Sequence, residues 1–270
     1  MRHLLSLLLI ALAAGGCASA PAPVEHDPWE PMNRGLYGFN QGLDKISFKP
    51  LAKGYVKVIP SPVRRSVTNF SRNLSTPGSA INNFLQGKPG NGIRELSRFF
   101  VNSTIGIGGL FDIASQSGVE AHSEDFGQTA AVWGIPSGPF VMLPFFGPRS
   151  VRDALTLPLD IAADPLRYYG DDTVRWSLWL LRLVDVRARL LPLEGLVQDS
   201  ADPYVTMRES YLQNRQFEIF DGNPPVDDDE AFLASLDIAT AGREELVETF
   251  RWLGITTLGE LARFPRSAVV

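Results

Sequence analysis

Between Asp125 and Arg149 the chain runs for 23 residues, FGQTAAVWGIPSGPFVMLPFFGP, without a charged side chain. A helix of that length would cross a bilayer, since about 20 apolar residues suffice. This segment cannot be that helix. Pro136, Pro139, Pro144 and Pro148 each remove a helical N–H and crowd the preceding turn, and four glycines loosen what remains. An apolar, turn-rich backbone cannot lie bare in lipid either, because its peptide groups would go unbonded. It must be buried in protein, line a cavity, or turn back as a re-entrant hairpin. Pro136, Gly138, Pro139, Pro144, Phe145 and Phe146 are the residues that would shape such a hairpin at a membrane.

The rest of the chain reads as helix, with almost no strand alternation. Ser61-Pro62 is a start signal, with Val63, Val67, Phe70 and Leu74 at helical spacing behind it and Arg64, Arg65 and Arg72 off that face. Thr76-Pro77-Gly78 is expected to stop that helix. Ile81, Phe84 and Leu85 carry the next, as far as Gly87. Asn91 opens a third, with Ile93, Leu96 and Phe100 aligned. Asp202-Pro203 opens a later one that aligns Tyr204, Met207 and Tyr211. Gly35, Gly38 and Gly42 form a small-residue ridge suited to close helix packing.

The stretch 173–191, TVRWSLWLLRLVDVRARL and one further Leu, is the clearest amphipathic helix. Arg175, Arg182, Asp185 and Arg189 share one narrow stripe, and Trp176, Trp179, Leu180, Leu183 and Val184 fill the remainder. Trp176, Trp179 and Arg182 are the residues expected to place it at a membrane interface. The same pattern would fit a helix packed on a soluble core. Asp171-Asp172 precede it, where capping and the helix dipole explain the paired carboxylates.

At the N-terminus Arg2, the apolar run Leu4 to Ala14 and Gly15-Gly16 form a secretory signal, too short for a membrane span. The only cysteine of the chain, Cys17, follows at once. One cysteine makes no internal disulfide and no cysteine-rich zinc site. LAAGGC resembles a bacterial lipobox, with Ala14 where Leu is usual. That resemblance implies cleavage before Cys17 and acylation of its thiol and new amino group. Three acyl chains exceed what stable anchoring requires. The Ala18-Ser19 pair, with no Asp beside the cysteine, implies the outer membrane rather than the inner. Residues 1–16 are read as signal peptide and 17–26 as an acylated tether.

A formal charge of −5 and an isoelectric point near 5.3 argue against nucleic-acid binding. LGITTLGELARFP, near the C-terminus, faintly resembles a helix-hairpin-helix element, but its acidic surroundings favour a packing unit or a loose tail. Residues 221–229, DGNPPVDDD, read as an acidic linker, and 230–270 as a helical or flexible tail. No metal or organic cofactor is called for. FFVNSTIGIGGLF (99–111) is Gly-rich yet lacks the strand and helix that flank a nucleotide loop. No nucleophile-elbow, S-x-x-K or H-E-x-x-H signature occurs. His122, beside Glu124 and Asp125, would be the base of a hydrolase, and a solvated turn explains those neighbours better.

DPWEPMNRGLYGFN (27–40), NSTIGIGGLFDIA (102–114) and EDFGQT with WGIPSGPFVMLPFFGPRSVRD (within 124–153) together resemble the MlaA/VacJ family of outer-membrane lipoproteins. The resemblance covers 27–220. It implies an all-α domain, a ring-like bundle of short amphipathic helices lying in one membrane leaflet, with the Pro/Gly-rich hairpin among them. It also implies a polar channel that takes mislocalised phospholipid from the outer leaflet, association with an outer-membrane porin trimer, and transfer to a soluble periplasmic phospholipid carrier. No covalent chemistry is involved. Phe39 and Asn40 match the family's aromatic-Asn pair and are expected to gate the channel, or to be one face of a packed helix. Asn102, Ser103 and Thr104 are expected to line it. Alternative readings are a structural porin-associated lipoprotein and a lipid-modifying hydrolase.

Overall fold

The computed structural model describes residues 27–225. The signal, Cys17 and its tether, residues 226–229 of the acidic linker and the 230–270 tail lie outside them. The chain divides into a unit that ends at Glu218 and a second that begins at Ile219. The second is described only to residue 225, where a turn closes with Asn223 N donating to the Phe220 carbonyl.

The first unit is helical. Its elements are α1 (Glu30–Ile46), α2 (Phe48–Val58), α3 (Ser61–Leu85), α4 (Pro89–Thr104), α5 (Ile113–Gln116), α6 (Phe126–Val132), α7 (Val151–Ala163), α8 (Asp172–Leu190), α9 (Glu194–Gln198) and α10 (Pro203–Ile219). A two-stranded antiparallel hairpin, β1 (Phe140–Leu143) and β2 (Gly147–Ser150), precedes α7, with Phe140 opposite Ser150 and Leu143 opposite Gly147. The reading of negligible strand therefore misses these eight residues. They are too few to show a period, and Pro148 sits among them.

Helix α3 is continuous through Pro77, so Thr76-Pro77-Gly78 does not stop it, and the two helices expected on either side are one. Proline removes the donor for the carbonyl one turn back. Close by, the Ser75 and Thr76 hydroxyls bond the carbonyls of Ser71 and Arg72. Packing supplies the rest: α4 lies along α3, and the Phe84 ring fills the space where a Cβ on Gly92 would go. Further pairings are α2 with α8 and with α1, α6 with α7, and the hairpin with α1 and α7. The ridge Gly35, Gly38 and Gly42 packs on nothing described, since no atom lies within 4 Å of a Cβ built on any of them.

Among the described residues there is one small apolar core. Phe140, Met142 and Tyr204 are its buried centre, ringed by Leu36, Tyr37, Val205, Met207, Tyr211 and Leu212, and it joins β1 to α1 and α10. The α10 stripe thus faces inward. Elsewhere the usual polarity is reversed. Among the described residues 20 buried side chains are polar or charged and 10 are hydrophobic, five of those alanine. Large apolar side chains point outward: Val63, Ile93, Leu96, Phe100, Leu155 and Trp176 are all exposed.

Candidate functional site

The interior of this fold is rich in polar side chains, and one of its cavities is walled by them. That cavity, of 240 Å³, lies between α3, α7 and the approach to α6. Ser75, Ser79 and Asn82 of α3 form one wall, Glu124 and Asp125 another, and Asp160, Asp164, Arg149 and Arg182 supply charge. Arg182 donates to Asp164 at 2.5 Å and to Ser75 Oγ at 2.6 Å. Arg149 has a buried Nε without a hydrogen-bond partner. Burial pushes the Asp160 carboxyl up to about 6, with Asp125 adding to the rise, although it accepts the Phe126 N–H.

Hydrogen-bonded networks hold these walls. Arg215 of α10 reaches back to Asp125, 2.7 Å, and to Asp153 of α7, 3.0 Å. Tyr211 donates to Asp153 at 2.5 Å. The positive guanidinium keeps both carboxyls below their ordinary values against the opposing effect of burial. The motif EDFGQT needs its glycine for this reason: a Cβ on Gly127 would run into Arg215 and Asp153. Glu124 accepts from Gln86 at 2.8 Å and from Lys88 at 3.1 Å, while Thr129 donates to Asn82 at 2.7 Å. His122 is no exposed base. Its peptide N–H donates to Glu95 at 2.5 Å, its carbonyl accepts from Asn83, and its Nε2 is buried. No group of three His, Cys, Asp or Glu side chains suited to a metal ion occurs among the described residues.

The structure brings Phe39 and Asn40 together with the hairpin. Asn40 Nδ2 donates to the Leu143 carbonyl and its Oδ1 accepts the Phe145 N–H, each at 2.9 Å. The Phe39 and Phe145 rings meet edge to face at 5.6 Å. Phe145 has φ of 67°, a left-handed conformation that non-glycine residues seldom adopt, and the Asn40 amide brackets that turn. Pro144, Phe145 and Phe146 are exposed at the tip, Pro136 and Gly138 are exposed before β1, and Pro139 is half-buried. This coupling between 39–40 and 143–145 escapes sequence reading, for nothing in either segment marks a partner some 100 residues away.

Asn102 and Ser103 are engaged elsewhere. Asn102 donates to Asp112 at 3.0 Å and accepts the Ala114 N–H, fastening α4 to α5, and Ser103 accepts from Asn73. Thr104 is exposed and bonds Phe100 of its own helix. None of the three is among the residues that line the polar cavity. Gly109, with φ of 89°, lets this loop approach Asn73, where a Cβ would fall 2.6 Å from that side chain.

Trp176 and Trp179 sit on the outer face of α8, edge to face at 5.8 Å, and line a groove of 480 Å³ with Ile161, Leu166 and Arg175. Arg182 differs from its expected place. It turns inward to Asp164 and Ser75 rather than outward to an interface. Asp185, on the same stripe, is buried. Arg182 and Asp185 therefore face the protein, Arg189 of the same stripe is exposed, and the tryptophans face out.

The chain is similar in sequence and in fold to known proteins. The family model "MlaA lipoprotein" matches residues 25–218. The intermembrane phospholipid transport system lipoprotein MlaA of Escherichia coli K12 is 35% identical over 228 residues, 79% of this chain and 89% of that protein. Its namesake from Haemophilus influenzae is 31% identical over 230 residues, 82% of this chain and 92% of that one. A chain solved in work on the structural basis for maintenance of bacterial outer membrane lipid asymmetry superposes with a TM-score of 0.64 at 34% identity, covering 73% of this chain and 99% of its own. The chain belongs to the MlaA lipoprotein family.

Proposed function

We propose that this protein, like its relatives, is an outer-membrane lipoprotein of intermembrane phospholipid transport, and that it keeps the outer membrane asymmetric by removing mislocalised phospholipid from the outer leaflet. The observation that carries this reading is the reversed polarity: a charged, hydrogen-bonded interior around a polar cavity, clothed in exposed Trp, Phe, Leu and Ile. Such a surface is costly in water and suited to hydrocarbon. No described helix is long and apolar enough to cross a membrane. Helices that lie within one leaflet, ring-like around a polar passage, account for both facts.

The passage answers a physical problem. A phosphate headgroup cannot enter hydrocarbon cheaply, whereas its acyl chains belong there. Walls that mix Glu124, Asp125, Asp160 and Asp164 with Arg149 and Arg182 present both signs of charge, as a zwitterionic headgroup requires. Direction comes from tighter binding by a soluble periplasmic carrier downstream, because a passive channel adds no free energy. An outer-membrane porin trimer is the partner that holds the domain in place. Phe39 and Asn40, clasping the 140–150 hairpin, are the gate: releasing their contacts frees the turn at Pro144, Phe145 and Phe146. Cys17 is the lipid anchor on the periplasmic face, residues 17–26 the tether, 27–220 the channel domain, 221–229 the linker and 230–270 a tail.

Surface-exposed phospholipid, measured in cells lacking the protein and after complementation, tests this. It is expected to rise on deletion and return with the gene. No rise would leave a structural, porin-associated role instead.

A further inference from the structure

A second cavity, of 530 Å³, opens between α3 and α8 and has a different charge. Arg64, Arg65 and Arg72 of α3 and Arg189 of α8 line it with a single carboxylate, Asp185. That carboxylate is already engaged: Thr68 donates to it at 2.8 Å, Tyr55 at 3.2 Å, and Arg189 pairs with it at 3.3 Å. Among the described residues no carboxylate lies within ion-pair distance of Arg64, Arg65 or Arg72. Arg64 Nε is shut away from solvent and has no hydrogen-bond partner. Arg149, at the polar cavity, shares this orphaned Nε, whereas four other arginines are paired with carboxylates. Arg98 pairs with Asp112, Arg187 with Asp44 and Glu194, Arg208 with Asp27, and Arg215 with Asp125 and Asp153.

Arg64, Thr68 and Arg72 stand at four-residue intervals, so both guanidinium groups share one helix face. Uncompensated like charge there is unfavourable, and a buried donor left unpaired adds to the cost. An anion with several oxygens removes both penalties, and a guanidinium fork fits phosphate in particular. We infer that this pocket binds a phosphate group. Arg72 and Ser75 on α3, like Asp185 and Arg182 on α8, lie about one turn apart, which sets the pocket beside the polar cavity. Resting on the transport reading, the source of the phosphate is the headgroup of a phospholipid leaving that cavity, and the pocket holds it through its diester oxygens.

The test is calorimetric titration of the purified full-length protein in a phosphate-free maltoside detergent, with two probes. One is inorganic phosphate and the other dihexanoyl phosphatidylglycerol below its micellar threshold. Saturable binding is expected, weakened at least tenfold in Arg64→Gln/Arg72→Gln and severalfold in Arg65→Gln, and unchanged in Arg94→Gln, an exposed arginine on α4. Arg65 is itself exposed, so its variant reads the pocket even if the double variant does not fold. Both affinities should fall with added salt. Equal affinity for the two probes assigns the site to free phosphate, and tighter lipid binding assigns it to the headgroup. No saturable binding of either, or binding indifferent to Arg65→Gln, overturns the proposal. A blank titration says nothing against transport, which the deletion measurement tests by itself.

Discussion

Gly127 shows how much a single side chain decides in an interior made of ion pairs. Its missing Cβ is where Arg215 meets Asp153. Gly127→Ala should therefore cost about 3 kcal/mol or more, through crowding and a broken buried pair, read as loss of folded protein or a fall in melting temperature. Gly54→Ala, in α2 with nothing within 4 Å of the new methyl, should be neutral or stabilising by up to about 1 kcal/mol. Asn40→Ala removes two hydrogen bonds from the hairpin turn. A loss of about 1–3 kcal/mol is expected, together with altered surface phospholipid if the pair gates the passage. Asp160 carries a pH signature. Its carboxyl is raised to about 6 in the fold from an ordinary 3.8, so the native state holds the proton more tightly. Its contribution is most favourable below the ordinary value and is lost as pH rises toward 6. Asp160→Asn should flatten that decline and raise stability at pH 7 by about 1 kcal/mol, discounted for partial exposure, checked by melting temperature against pH.

At the scale of elements, the helices were legible and their facing was not. The cap at Asp171, the start at Asp202-Pro203 and the run of α8 appear where the sequence signals put them. Periodicity locates an apolar stripe but carries no sign: it does not say whether that stripe meets protein or lipid. For α10, Tyr204 packs inside. For α4, the aligned Ile93, Leu96 and Phe100 face out while Glu95, Arg98 and Asn102 are buried. On α8 the same inversion takes Arg182 inward. Pro77 escaped reading because stop signals describe an isolated helix, and α3 is held by its neighbours. The inversion makes an unusual prediction. Trp176→Glu/Trp179→Glu should leave the melting temperature in detergent within about 0.5 kcal/mol of the parent, as surface changes do, while weakening vesicle binding. Phe140→Ala, in the apolar core with Met142 and Tyr204, should cost about 3–5 kcal/mol.

Over the whole molecule, motif resemblance found the family and the all-α class, while the polar cavity and basic pocket rest on contacts between segments far apart in sequence, such as Asp125 with Arg215 and Arg182 with Ser75. No local pattern encodes such pairs. The described interior is knit by hydrogen bonds and ion pairs more than by apolar contact, and hydrocarbon around it would strengthen those pairs. That account stands or falls on where lipid and water lie. Nitroxide labels on cysteines introduced one at a time into the protein that keeps Cys17, in phospholipid vesicles, measure it, one set at Phe100, Leu155 and Trp176 and another at Ser79 and Asn82. The account predicts high collision with oxygen, which concentrates in lipid, at the first set, and collision with a water-soluble nickel complex at the second. Nickel access at Phe100, Leu155 and Trp176 equal to that at Ser79 and Asn82 would contradict it.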